Sequence, residues 1–141
     1  MTDKMHTTNY YNTFIEIAED CPVFSGLTPP LKGDLPTIAG MQYEIIAQNP
    51  YKFTSDEVIF QIFADRKDLI ETEREPAREV FFSKGQPCLR SSPLGKKYGW
   101  GIHFDEHGKM AIYARESEAY QQFLDNTQIV KTKAMRLKKA S

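Results

Sequence analysis

The sequence predicts an α+β protein: a small antiparallel or mixed sheet with helices packed mainly on one face. Three observations carry that prediction. The chain has 141 residues, which suits one domain with one core. Short runs rich in β-branched and aromatic residues are interleaved with segments of helical periodicity. No internal repeat or composition break divides the chain, so the elements belong to one layered unit.

Residues 1–9 are polar and read as a frayed N-terminus. Thr13 to Ala18 is rich in β-formers and reads as a first strand. Glu19 to Pro36 holds four prolines and two glycines and reads as a long loop, either a lid or an irregular crossing. Thr37 to Asn49 predicts a helix, with Ile38, Met41, Ile45 and Ile46 near helical spacing and Pro50 as its stop.

Thr54-Ser55-Asp56-Glu57 has the form of a capping box and predicts one helical turn. Val58 to Ala64 then has the content of a buried strand, which favours a strand at 58–65 over a continuing helix. Glu75 to Ser83 predicts a helix with Pro76 in its first turn, Ala77, Val80 and Phe81 on its apolar face, and Gly85 just past its end. Gly99 to Phe104 and Lys109 to Ala114 predict a β-hairpin around Asp105 to Gly108, where Gly108 supplies the positive φ of a tight loop. Glu116 to Leu124 predicts a closing helix. The expected order is β-α-β-α-β-β-α over a domain at 10–125, followed by a basic tail at 126–141.

The formal net charge is −1, so bulk electrostatics select neither nucleic acid nor an acidic partner. Charge is nevertheless uneven. Phe53 to Glu79 holds eight acids against four bases, whereas Lys84 to Phe104 holds Lys84, Arg90, Lys96 and Lys97 and no acid. No apolar run approaches the about 18 residues of a membrane span, and the N-terminus lacks the apolar stretch of a signal peptide. Cys21 and Cys88 are far apart and read as two reduced thiols of a cytoplasmic protein; a disulfide between them is the less favoured alternative.

The segment from Lys84 to His103 is densest in special residues. Arg90, Ser91, Ser92, Lys96 and Lys97 bring guanidinium, hydroxyl and ammonium donors together, a set suited to phosphate or carboxylate. The alternative is a solvated basic loop. Gly95-Lys96-Lys97 lacks the other residues of a phosphate loop. On a strand, Tyr98, Trp100 and Ile102 share one face, and Gly99, Gly101 and His103 share the other. The two glycines leave a notch for either a packed helix or a ligand. Cys88 and His103 are the candidates for nucleophile and base, with no third orienting residue identifiable. His6, His103 and His107 show no metal-ligand spacing, and no cofactor motif is present.

Tyr11-Asn12-Thr13-Phe14-Ile15-Glu16, Asn49 to Asp56, Cys88-Leu89-Arg90-Ser91-Ser92-Pro93-Leu94 and Tyr98-Gly99-Trp100-Gly101-Ile102-His103 resemble a family of short uncharacterised bacterial proteins, a domain of unknown function. Glu116 to Tyr120 fits the same pattern. Members begin near Met5, and the resemblance covers most of the chain. It implies a bacterial, cytosolic, single-domain protein and assigns no catalytic role.

The leading expectation is a protein that binds an anionic small molecule through residues 84–103. Arg90, Ser91, Ser92 and Lys97 would grip the anion, and Tyr98, Trp100 and His103 would line the slot. Two alternatives stand beside it: an enzyme using Cys88 or His103 on a similar substrate, and a nucleic-acid accessory protein using this segment and the basic tail. Whether the protein is an enzyme, and its oligomeric state, stay open from the residues alone.

Overall fold

The computed structural model describes residues 5–138. One four-stranded sheet comprises β1 (Thr13–Glu16), β2 (Trp100–Phe104), β3 (Met110–Ala114) and β4 (Val130–Lys133), in the order β3-β2-β1-β4. β2 runs antiparallel to β1 and β3, and β4 runs parallel to β1. Five helices complete the chain: α1 (Ile38–Gln48), α2 (Ser55–Arg66), α3 (Glu71–Phe82), α4 (Pro93–Lys96) and α5 (Glu118–Asp125). A 3₁₀ turn at Leu89–Ser91 precedes α4. The α+β class with a mixed sheet is therefore observed.

Register separates two faces of the sheet. Ile15 pairs with Ile102, and Ile102 with Ile112, so three isoleucines form one row. With Phe104 and Met110 they meet Ile46 of α1 and Val58 and Ile62 of α2 in the main core. The opposite face carries Phe14, Gly101, His103 and Tyr113. There α5 packs, with Phe123 stacked on Phe14 at 4.9 Å and Tyr120 edge-on to it at 5.0 Å. The hairpin closes as the sequence predicts: Gly108 takes φ +78°, and Asp105 Oδ1 accepts from the N–H groups of His107 and Lys109.

The strand expected at 58–65 is helix. The capping box at Thr54 and Glu57 is present, and it starts a helix that continues to Arg66. Its run of apolar residues reflects two buried sides. Val58 and Ile62 face the sheet, while Phe60 and Ala64 face a second cluster with Phe82 of α3. A helix wedged between two apolar surfaces loses the polar stripe that identifies most helices.

α3 begins at Glu71, earlier than the expected Glu75, so Pro76 lies in its interior and not in its first turn. Pro76 lacks the N–H that would bond the Thr72 carbonyl. Thr72 is exposed, so its carbonyl stands where solvent can reach the residue. Ile70 N–H donates to the Glu73 carboxylate and secures the start of the helix.

Both ends of the described chain are tied down. In residues 5–9, within the stretch expected to fray, His6 N–H donates to the Phe82 carbonyl at 2.9 Å. Thr8 donates through its N–H and Oγ1 to Asp56 Oδ1, both at 2.7 Å, and Thr7 Oγ1 donates to Asp56 Oδ2 at 2.7 Å. The segment read as a basic tail carries β4. Lys133 at its end and Arg136 beyond it pair with Glu19 at 3.2 and 2.8 Å. The N–H groups of Leu137 and Lys138 bond to Asp20. These contacts hold the Glu19 and Asp20 carboxyls below their ordinary values. The expectations for residues 1–4 and 139–141 lie outside the described residues.

Candidate ligand-binding cleft

The sheet and its connections spread the sequence-predicted site residues over several places. Arg90 Nε donates to the Lys133 carbonyl at 2.8 Å, and the Arg90 carbonyl accepts from Met135 N–H. Its guanidinium is thereby directed to the C-terminal segment. Lys97 is exposed beside Tyr98, with its ammonium 5.7 Å from that ring. The Tyr98 carbonyl accepts from Leu27 N–H. Trp100 packs on Tyr43, and its indole N–H donates to the Leu27 carbonyl at 2.8 Å. Both therefore engage the 19–36 loop. His103 lies across the sheet, under α5.

The glycine notch is filled by the protein itself. A Cβ on Gly101 would stand 2.5 Å from Phe14 Cζ and 2.6 Å from Tyr120 Cε2. Helix-to-sheet packing thus takes up the space that the alternation of large and minimal residues creates.

Ser91, Ser92 and Cys88 do come together, in the wall of a cleft of about 360 Å³. α1 contributes Ile38 and Gln42 to that cleft, four residues apart and so on one helical face. α2 contributes Ile59, Ile62, Phe63 and Arg66, at helical spacings of three, four and seven. Phe81 of α3 and the segment from Gln86 to Pro93 close the remaining sides. The segment is shaped by two local caps. Ser91 Oγ donates to the Cys88 carbonyl at 2.7 Å across the 3₁₀ turn. Ser92 Oγ accepts from Leu94 N–H at the start of α4 and donates to Gln42 Oε1.

The lining is mostly aliphatic and aromatic, with a few polar groups, among them the buried Gln42 and Ser92, the composition of small-molecule sites. Arg66 is its one cationic residue. It is exposed at the end of α2 and makes no ion pair among the described residues. Cys88 Sγ lies 3.2 Å from the Tyr10 hydroxyl. Burial and the Cys88 contact push the Tyr10 phenol up to about 12, so it remains neutral at pH 7. Tyr10 is thus a hydrogen-bond partner for the thiol and not a base for it. Tyr10 also packs on Phe104, on the core side of the sheet, whereas His103 faces α5, so the sheet stands between Cys88 and His103.

A second polar cluster surrounds His103. Its Nδ1 lies 2.8 Å from the Tyr51 hydroxyl, which lies 2.7 Å from the Tyr113 hydroxyl. The imidazole stacks on Phe123 at 4.3 Å. Burial lowers the His103 pKa, against the pull of Asp105, and raises that of Tyr51, so both groups are neutral at pH 7. Tyr51 itself sits at φ +58°, a left-handed conformation rare for an aromatic residue, and is held by its N–H bond to the Met110 carbonyl at 2.8 Å. Hydroxyl, hydroxyl and ring nitrogen together fasten the loop after α1 to the centre of the sheet. Among the described residues no group of three His, Cys, Asp or Glu side chains gathers as metal ligands would.

Arg66, Gln42, Tyr51 and Tyr113 were absent from the sequence-based site. Arg66 was discoverable. Ile59, Ile62, Phe63 and Arg66 mark one stripe as soon as 55–66 is drawn as a helix, and the strand assignment dispersed it. Tyr51 and Tyr113 had no signal, because their meeting depends on the register of β2 with β3.

No curated protein matches the chain, and no solved structure matches it. A family model does match, from residue 5 to residue 140, which is nearly the whole chain. The protein with this sheet and this cleft belongs to DUF6157, a family of unknown function.

Proposed function

We propose that the protein binds a small phosphate- or carboxylate-bearing molecule in the cleft between α1, α2 and the 86–93 segment. The observation that carries this reading is Arg66: an exposed cation, in no ion pair among the described residues, in the lining of a largely apolar cleft of about 360 Å³. The anion-holding role assigned from sequence to Arg90 passes to Arg66, because Arg66 lines the cleft whereas Arg90 does not and turns its Nε to the Lys133 carbonyl. Ser91 and Ser92 keep their place in the site, as walls and not as the principal grip.

Cys88 opens onto the same cleft and favours, as a second reading, a thiol reaction on the bound molecule. Its only side-chain hydrogen-bond partner among the described residues is a neutral phenol, which supports binding before catalysis. The pairing of Lys133 and Arg136 with Glu19 leaves less free charge at the C-terminal segment, which weighs against a nucleic-acid role. Two unpaired cysteines accord with a reducing, cytosolic setting and with the bacterial proteins that the motifs resemble.

A thermal-shift panel of phosphorylated and carboxylated metabolites tests the reading. Compounds that stabilise the protein should lose their effect in Arg66→Gln. Shifts that persist unchanged in that variant would place the anion elsewhere and overturn the assignment.

A further inference from the structure

We infer that the ligand of this cleft is a small monocarboxylic acid with an apolar body, and not a phosphoryl compound. The inference rests on the reading of the cleft as an anion site and names the class of anion. Three observations carry it.

The first is charge. A phosphate monoester carries about −1.5 to −2 at pH 7 and presents three acceptor oxygens. Sites for it gather several cationic or N–H donors. Arg66 is the one cation among the residues that line this cleft. A carboxylate carries one charge and two oxygens, which one guanidinium meets with two parallel N–H bonds.

The second is the state of the other polar groups. The Ser91 hydroxyl proton is engaged by the Cys88 carbonyl, and the Ser92 proton by Gln42 Oε1. Gln86 Nε2 donates to the Phe81 carbonyl at 2.8 Å. The two hydroxyl protons are thus committed within the protein, so besides Arg66 the side-chain donors of the lining are the neutral amides of Gln42 and Gln86. A doubly charged phosphoryl group would be met by one cation and neutral amides, less than its charge calls for, whereas one guanidinium balances a carboxylate.

The third is the body of the cleft. Ile38, Ile59, Ile62, Phe63 and Phe81 form walls that reward a hydrocarbon chain or an aryl ring and give nothing to a sugar. At about 360 Å³ the space is near the lower end of the about 300–1,000 Å³ of small-molecule sites, which fits a medium-chain or aryl acid and not a long-chain lipid or dinucleotide.

Isothermal titration calorimetry on the full chain separates the possibilities with octanoate, octanamide, octyl phosphate and inorganic phosphate. Octanoate should bind at one site, about tenfold or more tightly than octanamide or octyl phosphate, and inorganic phosphate should not bind. Arg66→Gln should weaken octanoate about tenfold and leave octanamide unchanged. Arg66 is exposed and in no ion pair among the described residues, so that variant should melt with the parent protein. Ile38→Trp, at the half-exposed mouth, should block all binding. If octyl phosphate binds tighter than octanoate and depends on Arg66, the monocarboxylate class is overturned while the anion site stands. If no compound binds, or binding survives Ile38→Trp, both inferences fall.

Discussion

A methyl group added at Gly101 has nowhere to go. It would meet two aromatic rings at 2.5–2.6 Å, one of them on the neighbouring strand and the other on α5. Neither ring is a flexible chain end, so Gly101→Ala must displace the strand or the helix. Overpacking of this kind costs about 1–3 kcal/mol. Chemical denaturation should show that loss with an unchanged denaturant slope, and an Ala variant as stable as the parent would mean that α5 does not seat as described. His103 gives a second expectation. Its pKa is lower folded than unfolded, so the unfolded chain binds the extra proton first. The contribution of a neutral His103 is complete above the ordinary value near 6.5 and fades as pH falls through its folded value. Melting temperature measured from pH 7.5 to 5 should therefore fall less steeply in His103→Phe than in the parent. Equal slopes would remove His103 from the acid response.

β4 shows what an element adds that its residues alone do not announce. Val130-Lys131-Thr132-Lys133 is polar and mostly exposed, and sequence patterning sees only a basic tail. Yet the strand pairs in parallel with all of β1, and Ala134 just after it is 5% exposed in the main core. Ending the chain at Gln128 would uncover the edge of β1 and open a gap beside Gly95 of α4, where Ala134 packs. The truncated protein should melt lower and self-associate through the freed edge, as light scattering would reveal. A monomer with the parent melting temperature would reduce β4 to an ornament of the sheet. α2 teaches the complementary lesson. Its capping box was legible in four residues, but its type was not, because residue content and periodicity disagree when both sides of a helix are buried. That one disagreement concealed the stripe from Ile59 to Arg66, and with it the cation of the cleft.

Across the molecule, the α+β class, the hairpin, α1 and the closing helix follow from local pattern and turn chemistry, which act within a few residues. The residues grouped from sequence stay together only in part. Cys88, Ser91 and Ser92 line the cleft, but Arg90, Trp100 and His103 went to other duties. Sequence proximity had grouped them, whereas the sheet places successive strand residues on opposite faces. The single tryptophan has a use that follows from its surroundings. Trp100 touches Tyr43 of α1, and its N–H holds the Leu27 carbonyl of the long loop. Two turns of the same helix supply Ile38 and Gln42 to the cleft. The protein thus carries its own optical reporter: one fluorophore, with no competing indole, whose emission records any shift of α1 or of the loop without a label.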